Sequence, residues 1–382
     1  MALRTPLYDE HTALGAKMFE FSGWEMPLWY GTITQEHMAV RGSAGVFDAS
    51  HMGKILVEGE VSMDRLDLLF TRPLTGSREG RCLYSFLLDD SGHIIDDLIV
   101  TRISDRGFLV ICNAAKRDAV HNWLSANGGG ASATDLTSEY ACLAIQGPSS
   151  RSIMSEITDL DLSKMKRFSA AKTRIQIADS ERQDIDEEIS WASGIEVGTD
   201  SEGIDAIISR TGYTGEDGFE IILNARAARN FWKRILKAGS ERIKPCGLGS
   251  RDTLRLEMCY LLSGHDFDGG QTPLEAGEEK AVDWNHDFRG KEALLRQKEG
   301  KYLRLVAFIS TGGVPREGYD IYSPGNERIG RVTSGTLSPV LKKGIGMGYV
   351  GEEYSSPGAT LYYGIGDRKV KAAVIEKPFL KR

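Results

Sequence analysis

Apolar and polar residues alternate along several stretches of the chain, and in others apolar residues return every three or four positions. The first pattern marks half-buried strands and the second amphipathic helices. KILVEGE (54–60), RCLYSFLL (81–88), HIIDDLIVTRI (93–103) and GFLVICNAA (107–115) read as strands, helped by their β-branched content. The DDSGH turn (89–93) joins two of them into a hairpin, because Asp and Ser can cap a turn and Gly accepts a positive φ. VSMDRLDLLFT (61–71) and KRDAVHNWLSAN (116–127) have helical spacing. Strands and helices in this order predict helices packed on an antiparallel sheet.

The same alternation continues on both sides. PLYDEHTALGAKM (6–18) carries turn and short-helix signals, and FSGWEMPLWYG (21–31) reads as an aromatic, Gly/Pro-punctuated segment whose Trp24, Trp29 and Tyr30 are packing residues. A helix ends near Gly42, and Phe47 leads into a strand. YACLAIQGP (140–148) is a strand that stops at Gly-Pro, and SRSIMSEI (150–157) is helical. DAIISRTGYTGEDGFEIIL (205–223) is a hairpin, followed by helices at ARNFWKRILKAG (228–239) and RDTLRLEMCYLL (251–262). Between them, residues 179–205 hold ten Asp or Glu and a single basic residue, Arg182, which is the composition of a solvated loop or an inserted hairpin. From about 290 the chain turns to short β runs with turn signals, the pattern of a separate β-barrel or sandwich.

Composition narrows the class. The 382 residues suggest two to four domains at ~100–200 residues each. With 41% hydrophobic and 26% charged residues the chain reads as an ordinary globular protein. A net charge of -7 argues against nucleic acid as the main partner. The five cysteines have no CxxC spacing, which argues against a disulfide framework or a structural zinc and suits a reducing compartment. No long apolar run predicts a membrane span, and MALRTPLYDE has neither an apolar core nor an Arg-rich amphipathic leader, so a cytoplasmic protein is expected.

Several familiar chemistries are missing: there is no Walker A sequence, no HExxH, no GxSxG and no GxGxxG after a strand. The glycines 212, 215 and 218 belong to a turn. His265, Asp266 and Asp268 are a weak metal pattern, and no metal is expected. The adjacent Asp96 and Asp97 are more telling. Alternation puts them on opposite faces of a strand, so one is free to face water and the other points inward. An inward carboxylate is costly unless it meets a cation, a donor or a ligand. On physical grounds a satisfied turn carboxylate and a functional one are about equally supported. Glu220 on the return strand of its hairpin is a further candidate. Arg251, which opens a helix where its charge gains nothing from the dipole, is placed for a specific partner or pairs with Asp252 or Glu257. Tyr213 at the hairpin tip either covers the turn or stacks on something flat.

Taken together, TPLYDEHTALGAKMFEFSGWEMPLWYG, VRGSAGVFDASHMG, YSFLLDDSGHIIDDLIV, LAIQGP, RTGYTGEDGFEI, KPCGLGSRDTLRLE, DFRGKEAL and RVTSGTLSP resemble, in order and over nearly the whole chain, the aminomethyltransferase family, the T-proteins of the glycine cleavage system. The resemblance implies an α+β, three-domain cloverleaf around a central folate channel. Its antiparallel sheets carry helices, and a C-terminal β-barrel or jelly-roll-like domain completes it. The implied domains are 1–53 with 138–289, 54–137 (ferredoxin-like) and 290–382. The implied reaction takes an aminomethyl group from a lipoylated H-protein, releases ammonia and forms 5,10-methylenetetrahydrofolate, with tetrahydrofolate as co-substrate and the enzyme a monomer. The second Asp of IDDL, Asp97, is then the catalytic carboxylate and Asp96 the turn residue. Met52, Tyr84, Asn113, Tyr213, Glu220 and Arg251 are the implied folate contacts.

The chain departs from the family pattern in places. Lys280 stands where the family has a channel tryptophan, the acidic 179–205 segment has no counterpart, His93 replaces the second glycine before IDDL, and Val340 stands in the usual SPTL. The family also includes folate-dependent demethylases of small S-, O- or N-methyl donors, and a non-catalytic folate-binding protein is a third possibility.

Overall fold

The computed structural model describes residues 2–59, 63–176, 199–200 and 203–382. Four sheets organise them. A three-stranded sheet comes first (Leu3–Arg4, Lys17–Phe21, Trp24–Trp29). A seven-stranded sheet follows, in the order Ala170–Gln176, Gly203–Ser209, Gly218–Asn224, Tyr140–Gln146, Ala44–Asp48, Ile243–Pro245, with Thr199–Asp200 paired beside Gly203–Ser209. Between Ala44–Asp48 and Tyr140–Gln146 the chain leaves to build a five-stranded sheet in the order Cys82–Leu88, Ile94–Ser104, Gly107–Cys112, Gly53–Glu58, Ser132–Asp135. Six strands between Arg304 and Ile375 close a barrel.

Side-chain alternation assigns the faces. On Gly218–Asn224, Phe219, Ile221 and Leu223 enter the core under helix Ala228–Gly239, with Phe231, Trp232 and Ile235. The other face presents Ile222, which packs with Cys142, Leu56 and Leu109 between the seven- and five-stranded sheets. The five-stranded sheet buries Leu98, Val100 and Val110 on its far side against Val120 and Leu124 of helix Arg117–Asn127. Phe86, Leu256, Phe267, Leu305 and Met347 form a third core where that sheet, helix Leu248–Glu257 and the barrel meet. The three bodies therefore share buried apolar surface pairwise. Each fully buried side chain of this kind is worth about 1.5–3 kcal/mol, which holds the space between the bodies to one shape.

Two local features differ from the sequence expectations. The aromatic segment 21–31 is not merely punctuated: Lys17–Phe21 and Trp24–Trp29 pair across a two-residue Ser22-Gly23 turn with φ of 51° and 81°. Both positive φ values suit the right-handed twist of a hairpin. Trp24 is buried, while Trp29 and Tyr30 are only half-buried. The helix expected over 61–71 is seen as Met63–Asp67, and Val61 and Ser62 lie outside the described residues. Most of the acidic segment also lies outside them; its described end pairs Thr199–Asp200 antiparallel with Gly203–Ile204.

Candidate active site

A cavity of about 710 Å³ opens where the bodies meet. The first strands supply Phe21, the loop after Ala44–Asp48 supplies His51 and Met52, and the end of Gly107–Cys112 supplies Asn113. The 213 turn supplies Tyr213, helix Leu248–Glu257 supplies Arg251, and the barrel supplies Thr333 and Ser334. Four of the expected folate contacts, Met52, Asn113, Tyr213 and Arg251, thus line its wall. Tyr84, Asp97 and Glu220 do not line the cavity.

Asp97 sits one side chain behind that wall. In strand Ile94–Ser104 it pairs with Phe86 and lies beside Tyr84. Tyr84 Oη donates to Asp97 Oδ2 at 2.9 Å, and Asn113 Nδ2 donates to Asp97 Oδ1 at 2.7 Å. Asp96 corrects one expectation: it is no water-facing turn residue but is fully buried. It accepts the backbone N–H of Asn113 at 2.9 Å and Asn113 Nδ2 at 2.8 Å, and Ser263 Oγ lies 3.4 Å away. Both carboxylates reach the one Asn113 amide, which draws Asp96 away from water and into the interior. The turn carboxylate is Asp89, which accepts the N–H groups of Ser91 and His93.

Burial raises the proton affinity of both carboxyls, and the Asp97 charge adds to it at Asp96. Bonds from Tyr84 and Asn113 pull Asp97 back. Half-buried Asp97 therefore ionises before fully buried Asp96. No cation pairs with Asp97 among the described residues.

Helix Leu248–Glu257 is fixed at its C-terminal end by carboxylates. Glu257 accepts two bonds from Arg41, at 3.1 and 2.8 Å, and the Ser338 hydroxyl at 2.5 Å, with His37 Nε2 3.1 Å away. Burial alone would raise the Glu257 carboxyl; His37, Ser338 and Arg41 outweigh it and hold it below its ordinary range. Asp266 accepts Arg255, Ser334 and Thr333, joining the helix to the barrel. His265 Nδ1 pairs with Glu317 at 2.8 Å. Two of the three side chains of the weak metal pattern, His265 and Asp266, thus have protein partners, and no cluster of three or more potential metal ligands occurs among the described residues.

Arg251 pairs with neither Asp252 nor Glu257, which serve Arg255 and Arg41. Its guanidinium lies 4.8 Å from the Tyr213 ring centroid, and its buried Nη1 has no hydrogen-bond partner. Tyr213 stacks on Tyr260 at 5.8 Å and donates to the Leu261 carbonyl. Glu220 lies on the same face as Ile222, toward the five-stranded sheet, and accepts the Thr211 hydroxyl. Lys280 is exposed and does not line the cavity; Arg72 binds its backbone carbonyl.

The sequence argument missed His51. Its ring is 2% exposed and lies edge-on to Phe21 at 5.8 Å and 82°. Neither ring nitrogen bonds a described residue, and Nδ1 is sealed from solvent. Burial first, then Arg251, pull its pKa down to about 3, so the imidazole is neutral. The loop beneath it is clamped by fully buried Lys54, whose Nζ donates to the Ser50 and Met52 carbonyls at 2.9 and 2.8 Å. Burial lowers that amine to about 8. The SHM stretch was the available signal, but that both ring nitrogens stay unpaired is a tertiary fact.

The unpaired Arg251 and His51 atoms and the flat Tyr213–Arg251 stack suit a planar ligand with a donor–acceptor edge. Comparison with known proteins defines the class. The model of the GCVT N-terminal domain matches residues 7–286, and that of the glycine cleavage T-protein C-terminal barrel domain matches 304–381. The chain is 39% identical over 382 residues to the aminomethyltransferase of Thermotoga neapolitana, covering 99% of this chain and 98% of that protein. It is 39% identical over 388 residues to that of Geobacillus thermodenitrificans, covering 100% and 99%. The solved glycine cleavage system aminomethyltransferase T from Bartonella henselae aligns with a TM-score of 0.86 at 30% identity, covering 100% of this chain and 98% of that one. The chain belongs to the aminomethyltransferase family, the T-proteins of glycine cleavage.

Proposed function

We propose that this protein transfers the aminomethyl carbon of a lipoylated H-protein to tetrahydrofolate, releasing ammonia and leaving 5,10-methylenetetrahydrofolate. One observation carries this reading: a carboxylate with no cation partner among the described residues, Asp97, is held by Tyr84 and Asn113 directly behind the wall of a cavity where Arg251 has a buried N–H to spare. The co-substrate supplies a ring nitrogen that accepts the one-carbon unit. Asp97 supplies fixed negative charge where positive charge develops as the donor bond breaks. Tyr84 and Asn113 keep that charge in place, so little reorganisation is needed during the reaction. Arg251 and Tyr213 orient the flat ring, Met52 and Asn113 bound it, and Glu220, set back from the cavity lining beside Thr211, is the acceptor for an amino edge that reaches past that lining.

The protein's three bodies are residues 1–53 with 138–289, 54–137 and 290–382. The enzyme works as a monomer in the cytoplasm, a reducing compartment that five free, buried cysteines suit. The demethylase alternative drew on Lys280, and the surface position of that residue removes its support. The test is calorimetric titration with tetrahydrofolate, followed by an assay of methylenetetrahydrofolate formation from aminomethylated H-protein. Binding with turnover is the expected result. Binding without turnover excludes the H-protein donor, and no binding excludes the folate site.

A further inference from the structure

A buried imidazole normally has a partner for at least one nitrogen, because an unmade hydrogen bond in a low-dielectric site costs about 1–3 kcal/mol. His51 breaks this rule while lining the cavity. The surroundings explain why it holds that position. Lys54 ties the carbonyls on both sides of it, at Ser50 and Met52. Asp48 caps the same loop by accepting the Ser50 N–H at 2.9 Å. Phe21 closes one edge of the ring. The backbone is therefore clamped, so the loop cannot shift to carry the imidazole to a partner without breaking that clamp. Nδ1 is sealed, which leaves Nε2 as the nitrogen that meets the cavity.

We infer that His51 is a specificity residue of the ligand site: Nε2 hydrogen-bonds the ring edge of the bound reduced folate beside the unpaired N–H of Arg251, and Lys54 positions it for that task. The inference rests on the folate reading of the cavity. A neutral imidazole can donate or accept at Nε2, so it fits either polarity of the ring edge, and it adds no charge next to Arg251. An unpaired polar group kept at a site for a ligand stabilises the complex at the expense of the free protein. A histidine with a purely structural role would do the opposite.

This difference sets the experiment. Tetrahydrofolate is titrated anaerobically into the full-length wild-type protein and the variants His51→Phe, His51→Leu, His51→Gln and His51→Asn, and the melting temperature of each ligand-free protein is recorded. Glutamine carries an amide group near the position of Nε2, and asparagine carries one near Nδ1. The Phe and Leu variants are expected to bind on the order of 10- to 100-fold more weakly, the loss of one or two desolvated hydrogen bonds. Gln should stay within about threefold of wild type and Asn should not, while the ligand-free Phe or Leu protein melts no lower than wild type. Including the smaller Leu guards against overpacking by Phe. Equal affinity in wild type, Phe and Leu would overturn the inference. So would a fall in melting temperature that tracks the loss of affinity, or rescue by Asn in place of Gln. Failure of the wild-type protein itself to bind would instead overturn the folate reading.

Discussion

The two ends of one helix treat buried charge in opposite ways. At the C-terminal end of Leu248–Glu257, Glu257 and Asp266 accept bonds from Arg41, Ser338, Arg255, Ser334 and Thr333. One turn or so earlier, Arg251 keeps an unpaired N–H, and in the same cavity neither ring nitrogen of His51 bonds a described residue. The first group joins the central body to the barrel and stabilises the free protein by its bonds. The second gains nothing in the free protein, which marks it as built for something that arrives later. Burial alone does not separate structure from function here; an unpartnered polar atom on a residue that lines the cavity does.

The largest effect that tests this contrast lies at the C-terminal end. Glu257→Ala leaves Arg41 buried without its main counter-charge, and such one-sided losses cost about 3–5 kcal/mol. Denaturant unfolding should show that loss, while the folate affinity of the remaining folded protein changes little. A loss below about 1 kcal/mol would mean that the seam does not depend on this hub.

Asp97→Asn should behave in reverse. Removing the charge while keeping the shape is expected to lower kcat by about 10²–10³-fold, the usual cost of losing one preorganised electrostatic group. Folate affinity should stay within a few-fold. The unfolding midpoint should hold or rise, because Asp96 loses a repelling neighbour. Asp96→Asn is the control. It places an amide opposite the Asn113 amide and should cost about 1–3 kcal/mol of stability with a smaller effect on turnover. Equal loss of activity in both would show that the pair acts as a unit.

Arg251→Lys sharpens the contrast at the ligand end. A lysine keeps the charge but loses the planar fork and the stack on Tyr213, so tetrahydrofolate should bind about tenfold more weakly by titration. Stability should be almost unaffected, since Arg251 has no carboxylate to abandon. A large drop in unfolding midpoint would place Arg251 with the structural group instead.

How much of this was legible in the sequence follows from the range of each interaction. Alternation located the hairpins around 89–93 and 210–217 and the barrel strands, because a strand's faces are set by residues next to one another. It also put Asp96 and Asp97 on opposite faces, but it could not say that both carboxylates meet Asn113, seventeen positions beyond Asp96 and just past the end of the neighbouring strand. The Ser22-Gly23 hairpin was hidden because Ser is a less usual residue at positive φ than Asn or Gly. Lys280 looked important by alignment, and only the packing of 278–284 against Arg72 and the first turn of the five-stranded sheet shows it facing out. His51 is the extreme case, since a missing bond is the absence of every possible partner across the fold.

The smallest expected effect is in the pH dependence of stability, and it isolates His51 from its neighbours. Its folded pKa is depressed, so the unfolded chain binds the extra proton. Stability is therefore fully present above the unfolded pKa of about 6.5 and is lost as pH falls from there toward about 3, with His51 contributing about 1 kcal/mol of that loss between pH 7 and 5.5. Arg251 and Lys54 deepen the depression and Asp48 opposes it. All three remain in His51→Phe, as do the other titrating carboxylates, so the difference between the wild-type and variant pH profiles reports the imidazole alone. The variant's unfolding free energy should fall less steeply below pH 6.5, with the two curves converging above it. Parallel curves would mean that the ring takes up its proton as easily in the folded protein as in the unfolded chain. The cavity wall would then be wetter than its burial implies, and the contrast between the two ends of the helix would weaken with it.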